Sequence, residues 1–291
     1  MTAVLLTDFP AALAATKGMI RDVERVAEAL QVDADALAQV SLNRWAIIRQ
    51  GVAALLDSRT WQSGEGSVIL QQLRNLCIAE PDANEAAAPA FDAADCRRFV
   101  LPGCNDYGYY AGDNEPSLQS TAQVSDGLRL IESVGVTWIR PFIGAVVVTG
   151  DASDQHKSYS LRHTPCTIYT ESFYGAQHAA ETIVHEGAHN LLNLALNGLG
   201  LEIQLLEQPG LFYSPWRNQS RPAFGFLHAV FAFGHVYQVR TRLSNGRALD
   251  LDSERTRFSA TRPQVAEILS TIGDSTLKSI FSDLYTMMGI S

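Results

Sequence analysis

The chain has 291 residues, 46% of them apolar, enough to build a hydrophobic core in one large domain or two small ones. Its 31 acidic and 22 basic residues leave a formal charge of −9, which repels nucleic-acid phosphates and anionic membrane surfaces and argues against both as partners. The longest apolar runs, PFIGAVVV and FGFLHAVFAF, fall short of the roughly 20 residues of a membrane span, and the N-terminus has no signal-peptide pattern. Four cysteines (Cys77, Cys96, Cys104 and Cys166) form no C-x-x-C pair and read as reduced thiols, so a cytoplasmic protein is expected.

In chain order, residues 11–58 repeat apolar side chains at three and four spacing: Ile20, Val23, Val26, Ala27 and Leu30, then Leu37, Val40, Leu42, Trp45 and Ile48. This spacing predicts amphipathic helices. A further helix is expected over 66–79. The Ala-, Asp- and Pro-rich stretch PDANEAAAPAFDAAD then reads as a surface connection. A boundary near 98 divides a helical N-terminal part, 1–98, from the remainder, 99–291. In the second part a helix is predicted over 117–134. The β-branched run VTWIRPFIGAVVV predicts a strand, and 158–171 a second. Turn formers in GDASDQHK suggest that these two strands pair antiparallel. Helices follow at 176–196, 223–243, 262–272 and 277–287, with a loop around Pro209 and Pro215. The expected fold class is α+β, mostly helical, with a small antiparallel sheet packed on the 176–196 helix.

That helix carries H-E-G-A-H at 185–189. Residues four apart on an α-helix differ by about 40° in azimuth and one turn in height, so His185 and His189 can aim at one metal ion. Glu186 lies about 100° round from His185, beside the ion or its water, where it can act as a base or as an orienter. The layout of a strand pair before such a helix resembles that of zinc-dependent peptidases and implies a zincin-like core. A third ligand is harder to place. The longer H-E-x-x-H-x-x-G-x-x-H pattern fails at Leu192 and Ala195, and Glu202 and Glu207 sit in no clear helical pattern. Of the remaining histidines, His228 lies in an apolar helix, where a lone imidazole more often belongs to the core.

H-E-G-A-H, then Y-S-P-W-R at 213–217, then R-P-A-F-G-F-L-H-A-V at 221–230, resembles the HExxH motif-containing peptide-modification family over about residues 160–240. Members of that family act on ribosomally made peptides, some as iron(II)- and 2-oxoglutarate-dependent β-hydroxylases. The resemblance implies that His228 completes a metal set with His185 and His189, leaving open positions for 2-oxoglutarate and dioxygen. It also implies a precursor peptide as substrate. The far carboxylate of 2-oxoglutarate needs a cation, preferably a guanidinium, and Arg217 and Arg221 are the candidates. Tyr213 and Ser214 could add hydroxyl donors. The rival is a zinc peptidase with Glu186 as general base, which needs neither arginine. A third reading is a peptide-binding scaffold with a closed, structural metal. The N-terminal helices could recognise a leader segment, form a homodimer interface or simply close the core.

Overall fold

The computed structural model describes residues 10–38, 118–150, 154–162, 164–244 and 251–290, with single positions at 45, 46, 48, 49, 52, 70, 71 and 73. The helix expected over 66–79 and the boundary near 98 fall largely or wholly outside these residues. The described elements are helices α1 (Pro10–Leu30), α2 (Ala34–Leu37) and α3 (Leu118–Ser133), a 3₁₀ helix (Thr137–Phe142), and strands β1 (Ala145–Gly150), β2 (Ser158–Tyr159) and β3 (Thr167–Glu171). They continue with α4 (Ala176–Leu199), α5 (Glu202–Glu207), strands β4 (Leu211–Ser214) and β5 (Gln219–Pro222), α6 (Ala223–Leu243), α7 (Leu251–Ile272) and α8 (Ser275–Met287). The fold is mostly helical with small sheets, as α+β patterning predicts.

Helix α4 is the hub. It is rich in Ala and Leu, carries apolar residues on nearly every side, and most of its length is buried, as expected of a helix enclosed by the core. Its C-terminus stops at Gly200, whose φ of 72° is the left-handed conformation that glycine adopts without strain. Around α4 pack α1, α3, α6 and the 3₁₀ helix, and they share one continuous hydrophobic core with α7 and α8. Glycines set the closest approaches. A Cβ on Gly187, inside the H-E-G-A-H stretch, would stand 2.8 Å from Ile139 of the 3₁₀ helix. A Cβ on Gly18 of α1 would stand 1.9 Å from the carbonyl oxygen of Leu194, and one on Gly198 would stand 2.1 Å from that of Ala14. The Asn190 side chain ties α4 to the sheet by donating to the carbonyl of Thr167 at 3.1 Å.

The sheet differs from expectation in three ways. The run VTWIRPFIGAVVV is not one strand: residues 137–142 form the 3₁₀ helix and the strand starts at Ala145. Pro141 has no N–H for a strand ladder and its ring fixes φ near the helical value, which suits the 3₁₀ turn ahead of the strand. Residues 158–171 are not one strand either. Pro165 and Cys166, whose φ is 65°, turn the chain between β2 and β3. The pairing is also different, because β1 runs parallel to β3 and β2 lies antiparallel on the other side, in the order β1-β3-β2. The sheet is therefore mixed rather than antiparallel. β1 and β2 lie on opposite sides of β3 and do not pair with each other, so they form no hairpin.

Three further corrections concern the C-terminal half. The stretch read as a loop around Pro215 is an antiparallel hairpin, β4–β5, with Asn218 left-handed at its turn (φ 49°). Short, half-exposed strands that end in Pro222 carry too little alternation to be legible. Helix α7 starts at Leu251 rather than Arg262, so Pro263 sits within the helix, not at its start. Glu202 and Glu207 are the ends of the short helix α5.

Substituting Gly18 by Ala should force α1 off α4 and lower stability by about 1–3 kcal/mol, the usual cost of overpacking a close crossing. Urea unfolding with an unchanged slope and a lower midpoint is the expected outcome; an unaltered midpoint would show that the crossing relaxes freely.

Candidate metal centre

A cavity of about 570 Å³ lies between α4, α6, β2 and the β4–β5 hairpin. Helix α4 presents His185, Glu186, His189 and Asn193 to it, at positions one, two, five and nine of a helical stripe. Helix α6 answers with Phe224, His228, Ala229 and Phe233. The wall from Ser158 to Arg162 forms a third side, and Arg217 and Arg221 of the hairpin a fourth.

His228, read in isolation as a core residue, stands beside the H-E-G-A-H histidines. Its Nδ1 lies 3.1 Å from Nδ1 of His189, and Nε2 of His189 lies 3.3 Å from Nε2 of His185. With metal–nitrogen bonds of about 2.0–2.1 Å, two ligands of one ion stand about 2.9–3.4 Å apart, so both spacings match an edge of a coordination polyhedron. His189, however, faces its neighbours with different ring nitrogens. No three His, Cys, Asp or Glu side chains among the described residues surround one common point as they stand. The convergence is pairwise, and one ion shared by all three needs the ring of His189 or His228 to turn. The Nε2 of His228, buried without a hydrogen-bond partner, is an unused donor for that purpose.

The electrostatics suit metal ligation. Burial pushes His185 down to about 4 and His228 to about 3, and holds His189 well below the usual imidazole range. The positive charge of Arg217 deepens the shift at His185 and His189, and that of Arg221 the shift at His189 and His228. All three rings are therefore neutral at physiological pH, the state a metal requires. A cavity that keeps cationic histidines out while offering neutral nitrogen donors fits a divalent ion of the iron or zinc type.

Glu186 is also buried, and burial raises its carboxyl to about 7 against the opposing influence of nearby hydroxyls and Arg217. The Ser158 hydroxyl donates to its Oε1 at 2.8 Å, while Oε2 has no partner. Arg217 and Arg221 both line the cavity, and neither guanidinium has a hydrogen-bond or ion-pair partner among the described residues. The two cations are close enough that the Arg217 charge, after burial, lowers the pKa of Arg221. The hairpin register turns Tyr213 away from Arg221. Arg221 pairs with Phe212 on the buried face, whereas Tyr213 pairs with Ser220 on the opposite face, half-exposed, and gives its hydroxyl to Asn218 at 2.7 Å. Ser214 is fully buried, with no partner for its hydroxyl. Neither Tyr213 nor Ser214 lines the cavity.

Glu202 is paired with Arg162 at 2.8 Å, and neither it nor Glu207 lines the cavity. His235 is a core residue packed on Trp138 and Phe231, with ring centroids 4.2 and 4.5 Å away. His156 and His178 meet edge to face near the start of α4, and His163 falls outside the described residues. Sequence reasoning passed over Ser158, Arg162 and Asn193. Only Asn193 had a signal, standing one turn beyond His189 on the same helical face. Comparison of the chain with models of protein families and with curated proteins finds no match.

Titration with cobalt(II) should load one ion per chain. His185→Ala and His189→Ala should abolish uptake, His228→Ala should weaken it by about tenfold or more, and Glu202→Gln should leave it unchanged. Full affinity in the His228 variant would remove that residue from the ligand set.

The buried imidazoles also set acid stability. The unfolded chain's histidines protonate near 6.5, whereas His185, His189, His228 and His235 stay neutral in the fold well below that. Their contribution is intact above pH 6.5 and is lost as pH falls toward 4, because only the unfolded state then takes up protons. Glu186 acts in the opposite sense between about 7 and 4.5, one group against four. The urea midpoint of the metal-free protein should therefore be lower at about pH 5 than at about pH 7.5; an equal or higher midpoint would contradict the burial of these rings.

Proposed function

We propose that this protein is an iron(II)- and 2-oxoglutarate-dependent oxygenase of the HExxH peptide-modification type, hydroxylating the β-carbon of a residue in a ribosomally made peptide. One observation carries the reading: two guanidiniums with no hydrogen-bond or ion-pair partner among the described residues line the same open cavity as three desolvated imidazoles. Metal-binding hydrolysis alone gives those arginines no role, whereas a dicarboxylate cosubstrate needs a cation at the carboxylate away from the metal. In this reading the sheet and α4 form a zincin-like core, and the protein works in the cytoplasm on a precursor peptide.

His185, His189 and His228 hold the ion. Bound iron(II) supplies activation of dioxygen coupled to oxidative decarboxylation of 2-oxoglutarate to succinate and carbon dioxide. Arg217 and Arg221 orient the cosubstrate by its distal carboxylate. Phe224 and Phe233, packed on His228 and His185 with ring centroids 4.4 and 4.8 Å away, keep bulk water from the ligands. Glu186, held by Ser158, accepts or returns a proton at Oε2 beside the ion. The peptide enters along the wall from Ser158 to Arg162.

One observation favours the zinc peptidase instead. A buried carboxyl raised to about 7 in the cavity is tuned as a general base. The two readings part in one assay. Anaerobically purified protein with iron(II), 2-oxoglutarate, dioxygen and a ribosomally made precursor peptide should add one oxygen to the peptide and form one succinate per hydroxylation. Replacing Arg217 and Arg221 by Gln should raise the KM for 2-oxoglutarate by about ten- to a hundredfold. Peptide cleavage that ignores 2-oxoglutarate and disappears in Glu186→Gln would establish the hydrolase, and neither product would sink both.

A further inference from the structure

The turn that carries Arg217 is four residues long, Pro215 to Asn218, and reaches the cavity from the end of a two-stranded hairpin. An isolated hairpin of this size is marginally stable, so the position of its tip depends on what it docks against. On the outer side, Tyr213 closes the turn on Asn218. The backbone of Tyr213 is held by Gln264 of α7, its N–H donating to Oε1 at 2.8 Å and its carbonyl accepting from Nε2 at 3.3 Å. These bonds hold the strands of the hairpin. They do not hold the tip over the histidines.

Trp216, next to Arg217, does that. Its ring lies parallel on Phe233, with centroids 4.9 Å apart and an interplanar angle of 9°, and tilts against Phe258 of α7 at 4.9 Å. Its indole N–H donates to Oε2 of Glu254 at 3.0 Å, and Glu254 is braced in turn by Arg257 at 2.9 Å. Phe233 meets His185 edge to face at 4.8 Å. A continuous stack thus runs from the turn through Phe233 to the first histidine of H-E-G-A-H, and it fixes the distance between the cationic and imidazole walls of the cavity. The reach of the Arg217 charge to His185, Glu186 and His189 is the electrostatic counterpart of that docking.

We infer that Trp216 is the positioning residue of the anion site: by stacking on Phe233 and bonding Glu254, it sets Arg217 at the height above the histidines at which a dicarboxylate can span from metal to guanidinium. The inference rests on the dicarboxylate reading of Arg217 and Arg221. It predicts that Trp216 governs cosubstrate affinity while leaving metal affinity alone, a division that a merely structural residue would not produce. Phe at this position keeps the stack and loses the bond to Glu254, whereas Leu loses both.

The test is calorimetry of 2-oxoglutarate binding to the full-length, cobalt(II)-loaded protein under nitrogen, with the cobalt(II) affinity and visible spectrum recorded for every variant. Trp216→Leu should weaken 2-oxoglutarate by roughly ten- to a hundredfold, the penalty for a group displaced by about an ångström. Trp216→Phe should recover most of that loss, and cobalt(II) affinity should be unchanged throughout. Glu254→Gln, which leaves the stack intact, should weaken binding by a few fold and serves as the second variant if Trp216→Leu does not fold. If the unaltered protein binds 2-oxoglutarate and the variants bind it equally well, the role given to Trp216 is wrong. If Trp216→Leu or Glu254→Gln folds but loses cobalt(II) together with 2-oxoglutarate, the residue is structural and the inference also fails. If the unaltered protein takes cobalt(II) but no 2-oxoglutarate, it is the dicarboxylate reading itself that falls.

Discussion

The enclosure of helix α4 on nearly all sides governs the rest of the molecule. A helix with apolar residues around its circumference must be covered everywhere, and here α1, α3, α6, the 3₁₀ helix and the mixed sheet do the covering. The stripe of His185, Glu186, His189 and Asn193 is left facing the cavity between α4 and α6. Because everything around the stripe is packed, its ionisable groups lose water without gaining salt-bridge partners, which depresses the imidazoles and raises the carboxyl. Site chemistry and core packing are thus one constraint.

Small residues make that enclosure possible. Gly187 falls between the two histidines of the motif, where a helix interior would ordinarily favour alanine by about 1 kcal/mol. The glycine is needed because Ile139 occupies the space of its Cβ. The same holds at the crossing of α1 on α4, where Gly18 and Gly198 let the backbones approach each other. The N-terminal helix therefore contributes directly to the core beneath the cavity, whatever else it binds.

The cavity has two chemically distinct walls. One offers neutral nitrogen donors and a carboxyl with an unpartnered oxygen; the other offers guanidinium groups without anions. Arg217 is exposed and Arg221 half-buried, so the cationic wall keeps water while the imidazole wall is desolvated. This asymmetry favours a cosubstrate with a carboxylate over hydrolysis by metal-bound water alone. It also gives Trp216 its importance, since the two walls belong to different elements and need a rigid connection.

Local pattern made most of the helices legible. The spacing of apolar residues located α1, α3, α4, α6 and α8 to within a few residues, since helical periodicity is a property of neighbouring side chains. The pairing of His185 with His189 follows from the same arithmetic. Strand order is another matter: β1 beside β3, with β2 outside, depends on contacts far apart in sequence and on Pro141 and Pro165, which break runs that look continuous. That His228 lies beside His189 was expected only from the resemblance to a family, because nothing in an apolar helix says which face meets another helix. Tyr213 and Ser214 were inseparable from Arg221 in sequence; the hairpin register turns Tyr213 to the other face, and Ser214 is buried away from the cavity. Periodicity decided what each segment became, and tertiary packing decided which side chains meet across the cavity, because a distance between elements is written in no single one of them.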